Sequence, residues 1–386
     1  MKFVLAPDSF KGCMTAQQAA SAMAQGIKSV ISNGQIIKVP MADGGEGTTQ
    51  SLIDALHGHW VTVPTVDPLG SPIKASYGLV NHDRTAIIET AAASGIQFIN
   101  SKTANPLKTS TYGTGLLVRN ALQHHVNQII MGLGGSATND GGAGLADALG
   151  ARFFNSNHQL IHPTGGNLNQ IKQIDCSHLN LRLKNTLIKV ASDVSNPLTG
   201  PRGASAVFGP QKGATPEIVK QLDRNLSHYA KIIKQNLKIN VAHLHGAGAA
   251  GGLGAGLMAF TNCTFRSGIK IVMQLTHLKT KLNDADVVIT GEGSIDSQTQ
   301  YGKVPVGVSQ LAKRVNPNCR VIALGGHIGT GIQILHQKGI DAILPIIPGA
   351  MNLKQAIQTG PENLKRVSAN LARLLNKPTV EKQKIK

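Results

Sequence analysis

Short apolar runs that stop at proline, glycine or aspartate, each followed by a helical stretch, set the rhythm at both ends of the chain. Residues 2–6 read as a buried strand. Thr15 and Gln18 then form a capping box before a helix with Ala19, Met23, Ile27 and Val30 on one face. A second strand over 35–39 ends at Pro40, and residues 49–56 read as helical. Past residue 284 the alternation returns, with strands at 286–290, 320–324 and 342–345 and helices at 304–314, 328–337 and 353–375. Such alternation predicts parallel strands with right-handed crossovers, so the two ends of the chain are expected to share one sheet.

The texture between them differs. Residues 60–90 are short alternating runs broken by Pro68-Leu69-Gly70 and Asn81-His82-Asp83, the pattern of antiparallel hairpins, which marks a domain change near residue 62. An apolar strand at 126–131 empties into the glycine-rich stretch 132–142, and a helix follows at 143–149. Next come a turn-rich span at 158–169 and a strand at 186–191. A helix at 216–237 carries Ile218, Leu222, Leu226 and Tyr229 on one face, and a second glycine loop occupies 246–254. The predicted architecture is α/β in two domains: residues 1–62 with 284–386, and an inserted domain over 63–283.

Composition narrows the function. The 386 residues are 41% hydrophobic and 15% charged, which fits a globular chain too long for one ordinary core. No apolar run approaches the roughly 18 residues of a membrane span, so a cytoplasmic protein without membrane contact is expected. Cys13, Cys176, Cys263 and Cys319 lie far apart and suggest neither a zinc site nor a disulfide framework. The net charge of +18 is scattered, with one cluster in the tail at 377–386. Aromatics at 3% leave little for base stacking, so nucleic acid is a minor candidate and an anionic metabolite the better one. A homodimer stays open as an assembly state.

The chemistry concentrates in loops. A strand leading into Gly132-Leu133-Gly134-Gly135-Ser136-Ala137-Thr138-Asn139-Asp140-Gly141-Gly142 and then a helix lets backbone N–H groups approach a phosphate. Acids, lysines and glycines also gather at 8–11, 43–47, 193–197, 211–212 and 290–296. Phosphoryl transfer needs a phosphate cradle, carboxylates for Mg²⁺ and cations to offset developing charge, and all three are present. The P-loop signature is absent, because Gly302-Lys303 is followed by Val304.

Taken in order, Asp8-Ser9-Phe10-Lys11, Met41-Ala42-Asp43-Gly44-Gly45-Glu46-Gly47-Thr48, residues 134–142, Asp193-Val194-x-Asn196-Pro197-Leu198, Gly209-Pro210-Gln211-Lys212-Gly213, residues 246–254 and Thr290-Gly291-Glu292-Gly293 closely resemble the type-1 glycerate kinases. The resemblance covers residues 2–375. It implies a flavodoxin-like parallel-sheet domain split by an inserted α/β domain. The implied activity is ATP- and Mg²⁺-dependent phosphorylation of D-glycerate, in bacteria usually to 2-phosphoglycerate, with the reactants in the interdomain cleft. Ser192 stands where the family often has cysteine, and Tyr301 departs from a commonly histidine or leucine-type position.

Beside that resemblance, Gly134, Gly135, Gly141 and Gly142 with Ser136, Thr138 and Asn139 are expected to cradle nucleotide phosphates, supported by Gly251 and Gly252. Glu292 and Asp296 are the expected Mg²⁺ ligands, with a helix-capping role as the alternative for one of them. Asp193 is the first choice for the base that receives the acceptor proton, followed by Asp8 and Asp43, with Lys11 in the same catalytic set. Lys212 and Arg202, with Ser9 and Asn196, are expected around the substrate carboxylate. The rival readings are a 3-phosphate-forming enzyme, a kinase of another small hydroxy acid, and a ligand-sensing or nucleic-acid-binding protein on the same scaffold.

Overall fold

A computed structural model describes residues 1–45 and 47–376, so Glu46 and the lysine-rich tail lie outside the described residues. The strands run in order β1 (Lys2–Leu5), β2 (Gln35–Lys38), β3 (His59–Val66), β4 (Pro72–Val80), β5 (Thr85–Glu89), β6 (Gln128–Gly132) and β7 (Arg152–Phe154). They continue as β8 (Leu160–Ile161), β9 (Gln173–Asp175), β10 (Leu187–Ala191), β11 (Cys263–Arg266), β12 (Val287–Ile295), β13 (Arg320–Ile328) and β14 (Ala342–Pro345). The chain forms two compact units, Met1–Asp43 with the described residues from Val272 onward, and Gly44–Ile271. Residues 44–62, expected in the first domain, belong to the second unit, and 272–283 belong to the first. The reason is packing: the helix Thr48–Leu56 lies on β4, where a Cβ at Gly78 would sit 2.9 Å from atoms of Ile53 and Thr49.

The first unit holds a five-stranded parallel sheet in the order β14-β13-β12-β1-β2. Counted within the unit this is 2-1-3-4-5, the flavodoxin-like order, with the intervening chain inserted after the second strand. Phe3, Leu5, Val287, Ile289, Ile322 and Leu324 make the sheet's contribution to a core shared with Met23 and Ile27 of the helix Ala16–Lys28. Thr15 and Gln18 close the capping box at that helix's start.

Three local expectations change. The strand at 286–290 continues to Ile295, because residues 291–295 keep parallel pairing with β13, so Glu292 lies on a strand and not in a loop. Likewise β13 runs to Ile328, and only Gln333–His336 is helical where 328–337 was expected, since Gly329 and Gly331 interrupt the period. The helix at 353–375 is two helices, Leu353–Gln358 and Gly360–Leu375, divided at Thr359 just before Gly360 and Pro361.

The second unit carries a six-stranded mixed sheet, β11-β10-β6-β5-β4-β3, with antiparallel β3–β4–β5 pairing as expected for 60–90, and a small sheet β8-β7-β9. Its main core joins Tyr77, Ile88, Leu117, Ile129, Met131 and Val190. A second core gathers Phe153, Leu226, Tyr229, Ile233 and Phe260 beneath the helix Pro216–Leu237.

Close helix packing in the first unit rests on Gly26, where a Cβ would collide with the backbone carbonyl of Lys365 and stand 2.9 Å from Cβ of Ser368. Gly26→Ala is expected to lower stability by about 1–3 kcal/mol. Urea denaturation followed by circular dichroism checks this, and an unchanged midpoint would mean that the two helices part at no cost.

Candidate active site

In the first unit the strand order reverses between β1 and β12, and ligands of open α/β sheets bind outside the carboxyl ends at such a switch point. Asp8 follows β1 there, Asp43 follows β2, and Glu292 lies near the carboxyl end of β12. The backbone sets their positions: the Asp8 N–H donates to Gly291 O at 2.9 Å, and the Met41 N–H to Pro7 O at 2.9 Å. Gly293 leaves room for the neighbouring segment, since a Cβ on it would lie 3.3 Å from Lys11 N. Asp8, Ser9, Lys11, Asp43 and Glu292 are thereby collected on one sheet edge.

Electrostatics bind these acids together. Burial, then the carboxylates of Asp43 and Glu292, push the Asp8 carboxyl up to about 7, against the Ser9 N–H that donates to its Oδ1 at 2.6 Å. Burial also raises Glu292, opposed by the Thr299 hydroxyl, which donates to Oε1 at 2.7 Å, and by the Lys303 ammonium 3.6 Å from Oε2. Thr299 and Lys303 were missed in the sequence. They stand seven and eleven residues beyond Glu292, a spacing with no local pattern, and Gly302-Lys303 draws notice there only as a failed P-loop.

Asp296 takes the capping alternative. Its Oδ1 accepts the Gln298 N–H at 2.7 Å, closing a capping box on the 3₁₀ turn Ser297–Gln300. The cap brings Thr299 round, whose hydroxyl accepts the Asp296 N–H at 3.2 Å while donating to Glu292. Among the described residues no group of three or more His, Cys, Asp or Glu side chains is placed to hold a metal by itself.

In the second unit β6 ends at Gly132, and Gly134 and Gly135 are exposed in the turn that follows. A Cβ on Gly134 would meet nothing nearer than Gly45 Cα at 3.9 Å. Ser136, Thr138 and Asn139 are buried behind them with Lys212, which is 1% exposed. The Lys212 ammonium donates to Thr138 O at 2.6 Å and Ser136 Oγ at 3.0 Å, which leaves one of its three protons without an acceptor among the described residues. Burial pulls this lysine down to about 7, and Asp140 works the other way. Asn139 Nδ2 donates to Ser205 Oγ, whereas Thr138 Oγ1 and Asn139 Oδ1 are buried without a partner among the described residues.

Other expected ligands serve the scaffold. Cβ atoms on Gly141 and Gly142 would meet Tyr229 and the Leu253–Gly256 backbone. On Gly251 and Gly252 they would meet Thr138 O and Gly141 Cα. These four glycines let the two glycine loops pack backbone against backbone, with Ala250, Gly251 and Gly252 in left-handed conformations at the start of the helix Ala249–Phe260. Of the six, only Gly134 and Gly135 are exposed, and a Cβ on Gly135 would stand 3.3 Å from Ala91 Cβ. Asn196 Nδ2 holds Arg202 O at 2.8 Å and its carbonyl accepts the Gly248 N–H, so its side chain shapes the 196–202 turn. Arg202 and Asp193 are exposed on this segment beyond β10. Asp140 is wholly structural: it accepts from Thr111 N–H at 2.7 Å, Thr111 Oγ1 at 2.8 Å, Gly142 N–H at 3.1 Å and Gly144 N–H at 3.2 Å.

Acids that can receive a hydroxyl proton and a buried cation that can offset phosphate charge are parts that phosphoryl transfer uses, so the class that these residues fit is a phosphotransferase. Comparison with known proteins narrows the class. The profile of the glycerate kinase family matches residues 3–376. A glycerate kinase of Halalkalibacterium halodurans is 48% identical over 96% of this chain and 97% of its own length. The glycerate 2-kinase of Escherichia coli is 45% identical over 97% and 98%. A crystal structure of a Salmonella typhimurium protein assigned as glycerate kinase 2 superposes with a TM-score of 0.89 at 46% identity, covering 97% of this chain and 98% of that one. The chain belongs to the glycerate kinase family. No helix among the described residues is long and apolar enough to cross a membrane.

The raised Asp8 carboxyl has a measurable consequence. Between about pH 4 and pH 7 the folded protein binds a proton that the unfolded chain has released, so this group's contribution to stability falls as pH rises through that window. In metal-free protein, Asp8→Asn is expected to flatten the decline of the urea midpoint from pH 4 to pH 7. Equal slopes in the two proteins would show that Asp8 is not so perturbed.

Proposed function

We propose that the protein transfers the γ-phosphoryl group of ATP to the 2-hydroxyl of D-glycerate, giving 2-phosphoglycerate and ADP. The observation that carries this reading is the gathering of Asp8, Asp43 and Glu292 at the switch point of the first unit's sheet, inside a glycerate kinase sequence. In this reading Asp8 receives the proton as the hydroxyl oxygen bonds to the γ-phosphorus and the bond to the bridging oxygen of ADP breaks. Asp8 replaces Asp193 as first choice, because Asp193 is exposed beyond β10. Ser9 and Lys11, on the same segment as Asp8, hold the glycerate carboxylate, and Arg202 remains a second candidate for that charge.

The nucleotide phosphates fit the open turn at Gly134 and Gly135. Among the described residues the buried Thr138 hydroxyl lacks a partner, and Lys212 keeps one proton for an oxygen that gains charge during transfer. Mg²⁺ fits Asp43 and Glu292. It takes oxygen ligands, needs only one or two carboxylates when phosphate and water complete its shell, and would relieve the crowding of like charges. When bound, Mg²⁺ would neutralise charge on the β- and γ-phosphates. Thr299 and Lys303 orient Glu292 whether or not the ion is present.

Purified protein supplied with ATP, Mg²⁺ and D-glycerate is expected to give a signal with enolase alone. A signal that requires added phosphoglycerate mutase would mean the 3-phosphate, and none in either assay would refute the glycerate reading. Asp8→Asn is expected to lower kcat by about 10²-fold or more, with both substrates still bound, while Asp193→Asn stays within about tenfold. The reverse order would return the base role to Asp193. Lys212→Met is expected to reduce kcat by about 10²–10³-fold, as loss of one preorganised donor does. Steady-state kinetics on protein with unchanged circular dichroism separates this loss from misfolding.

A further inference from the structure

A cavity of about 300 Å³ opens in the second unit between the β3–β4 turn and the segment before the helix Tyr112–Gln123. Pro68, Leu69 and Pro163 give it apolar walls, and Tyr112, Lys108 and Asp147 add an aromatic ring, an ammonium and a carboxylate. Its volume stands at the lower end of the roughly 300–1,000 Å³ of small-molecule sites, more than a three-carbon acid fills.

Topology sets this cavity on the functional edge. β5, β6 and β10 are parallel, and β4 is antiparallel to β5, so the β3–β4 turn emerges beyond the same sheet edge as the glycine-rich turn after β6. With strands spaced by about 4.8 Å, that turn stands two to three strands, roughly 10–14 Å, across the sheet from β6, and the register carries the start of β4 four residues beyond the level of Gly132. The wall and the phosphate turn are also joined: Thr109 Oγ1 donates to Ala137 O at 3.1 Å, and Ser110, which lines the cavity, lies 3.4 Å from Asp140 Oδ2.

Resting on the ATP-dependent reading above, we propose that this cavity receives the purine nucleoside of ATP while the phosphates extend toward Gly134, Gly135 and Lys212. Flat apolar walls and the Tyr112 ring suit a purine face. Asp147 uses Oδ2 to accept from His162 Nδ1 at 2.9 Å, and its Oδ1 has no protein donor among the described residues, which suits an exocyclic amine. Lys108 suits the ribose or the α-phosphate. Asp67 adds no competing acceptor at Oδ1, which already accepts the N–H groups of Leu69 and Ser71.

The test compares ATP with inorganic tripolyphosphate, which has the phosphates and no nucleoside, by calorimetry in Mg²⁺ with full-length protein. Leu69→Trp fills the cavity and Tyr112→Ala removes its ring. Both variants are expected to bind ATP about tenfold or more weakly and tripolyphosphate as wild type does. Unchanged ATP affinity in both would overturn the proposal, as would an equal loss for the two ligands, which would mean a disturbed phosphate turn. ATP binding by the wild type keeps these outcomes apart from failure of the functional reading, which its absence would refute together with the proposal.

Discussion

A carboxylate with no access to water holds the glycine-rich turn in shape. Asp140 is fully buried, and burial alone would drive it toward its neutral form. Its donors are the Thr111 amide and hydroxyl and the amides of Gly142 and Gly144, so it ties the segment before one helix to the N-terminus of another. Thr111 Oγ1 also accepts the Leu145 N–H at 2.9 Å, which extends the network one turn further. The buried Lys212 ammonium depends on the same carboxylate for part of its charge compensation. Remove the acid, and the turn loses its anchor while the cation loses its counter-charge, a combination that buried polar networks rarely survive.

The first unit solves the opposite problem. Here three acids share a sheet edge, and backbone bonds place like charges near one another, which folding alone would disfavour. Such a cost is retained where chemistry needs it, and strand order says why it occurs at this position: the reversal between β1 and β12 opens the crevice where ligands of parallel sheets bind. Glu292 is stabilised from the side by Thr299 and Lys303, whereas Asp8 is held by Ser9, whose amide donates to it. Burial raises both carboxyls, and each is opposed by its own donors.

Much of this is legible in the chain alone. The period of apolar residues yields the strands of the first unit's sheet, the hairpins at 60–90, β6 and β10, though not β11 or the small sheet, and it yields the capping box at Thr15 and the long helix Pro216–Leu237, because those features depend on residues within one or two turns of each other. Glycine and proline punctuation locates the loops, and their order along the chain is that of the glycerate kinases. The misplacements have local causes. Glu292 sits between two glycines and reads as a loop residue, yet pairing with β13 draws it into a strand. Residues 44–62 look like a continuation of the first sheet until Gly78 accepts their helix on β4.

Periodicity, loop order and the acidic and cationic residue types are thus properties of the sequence, since each arises from neighbours in the chain. Which residue does what is decided by the tertiary structure. Asp140 and Asp296 are carboxylates beside glycines, as Asp8 and Glu292 are, and only the folded chain shows that the first two spend their oxygens on backbone amides. Glycines 134 and 135 look like glycines 141, 142, 251 and 252, and only packing separates those that face open space from those that let two backbones touch. The division follows from distance: a proton affinity or an open surface depends on groups tens or hundreds of residues away, and no local pattern encodes their approach.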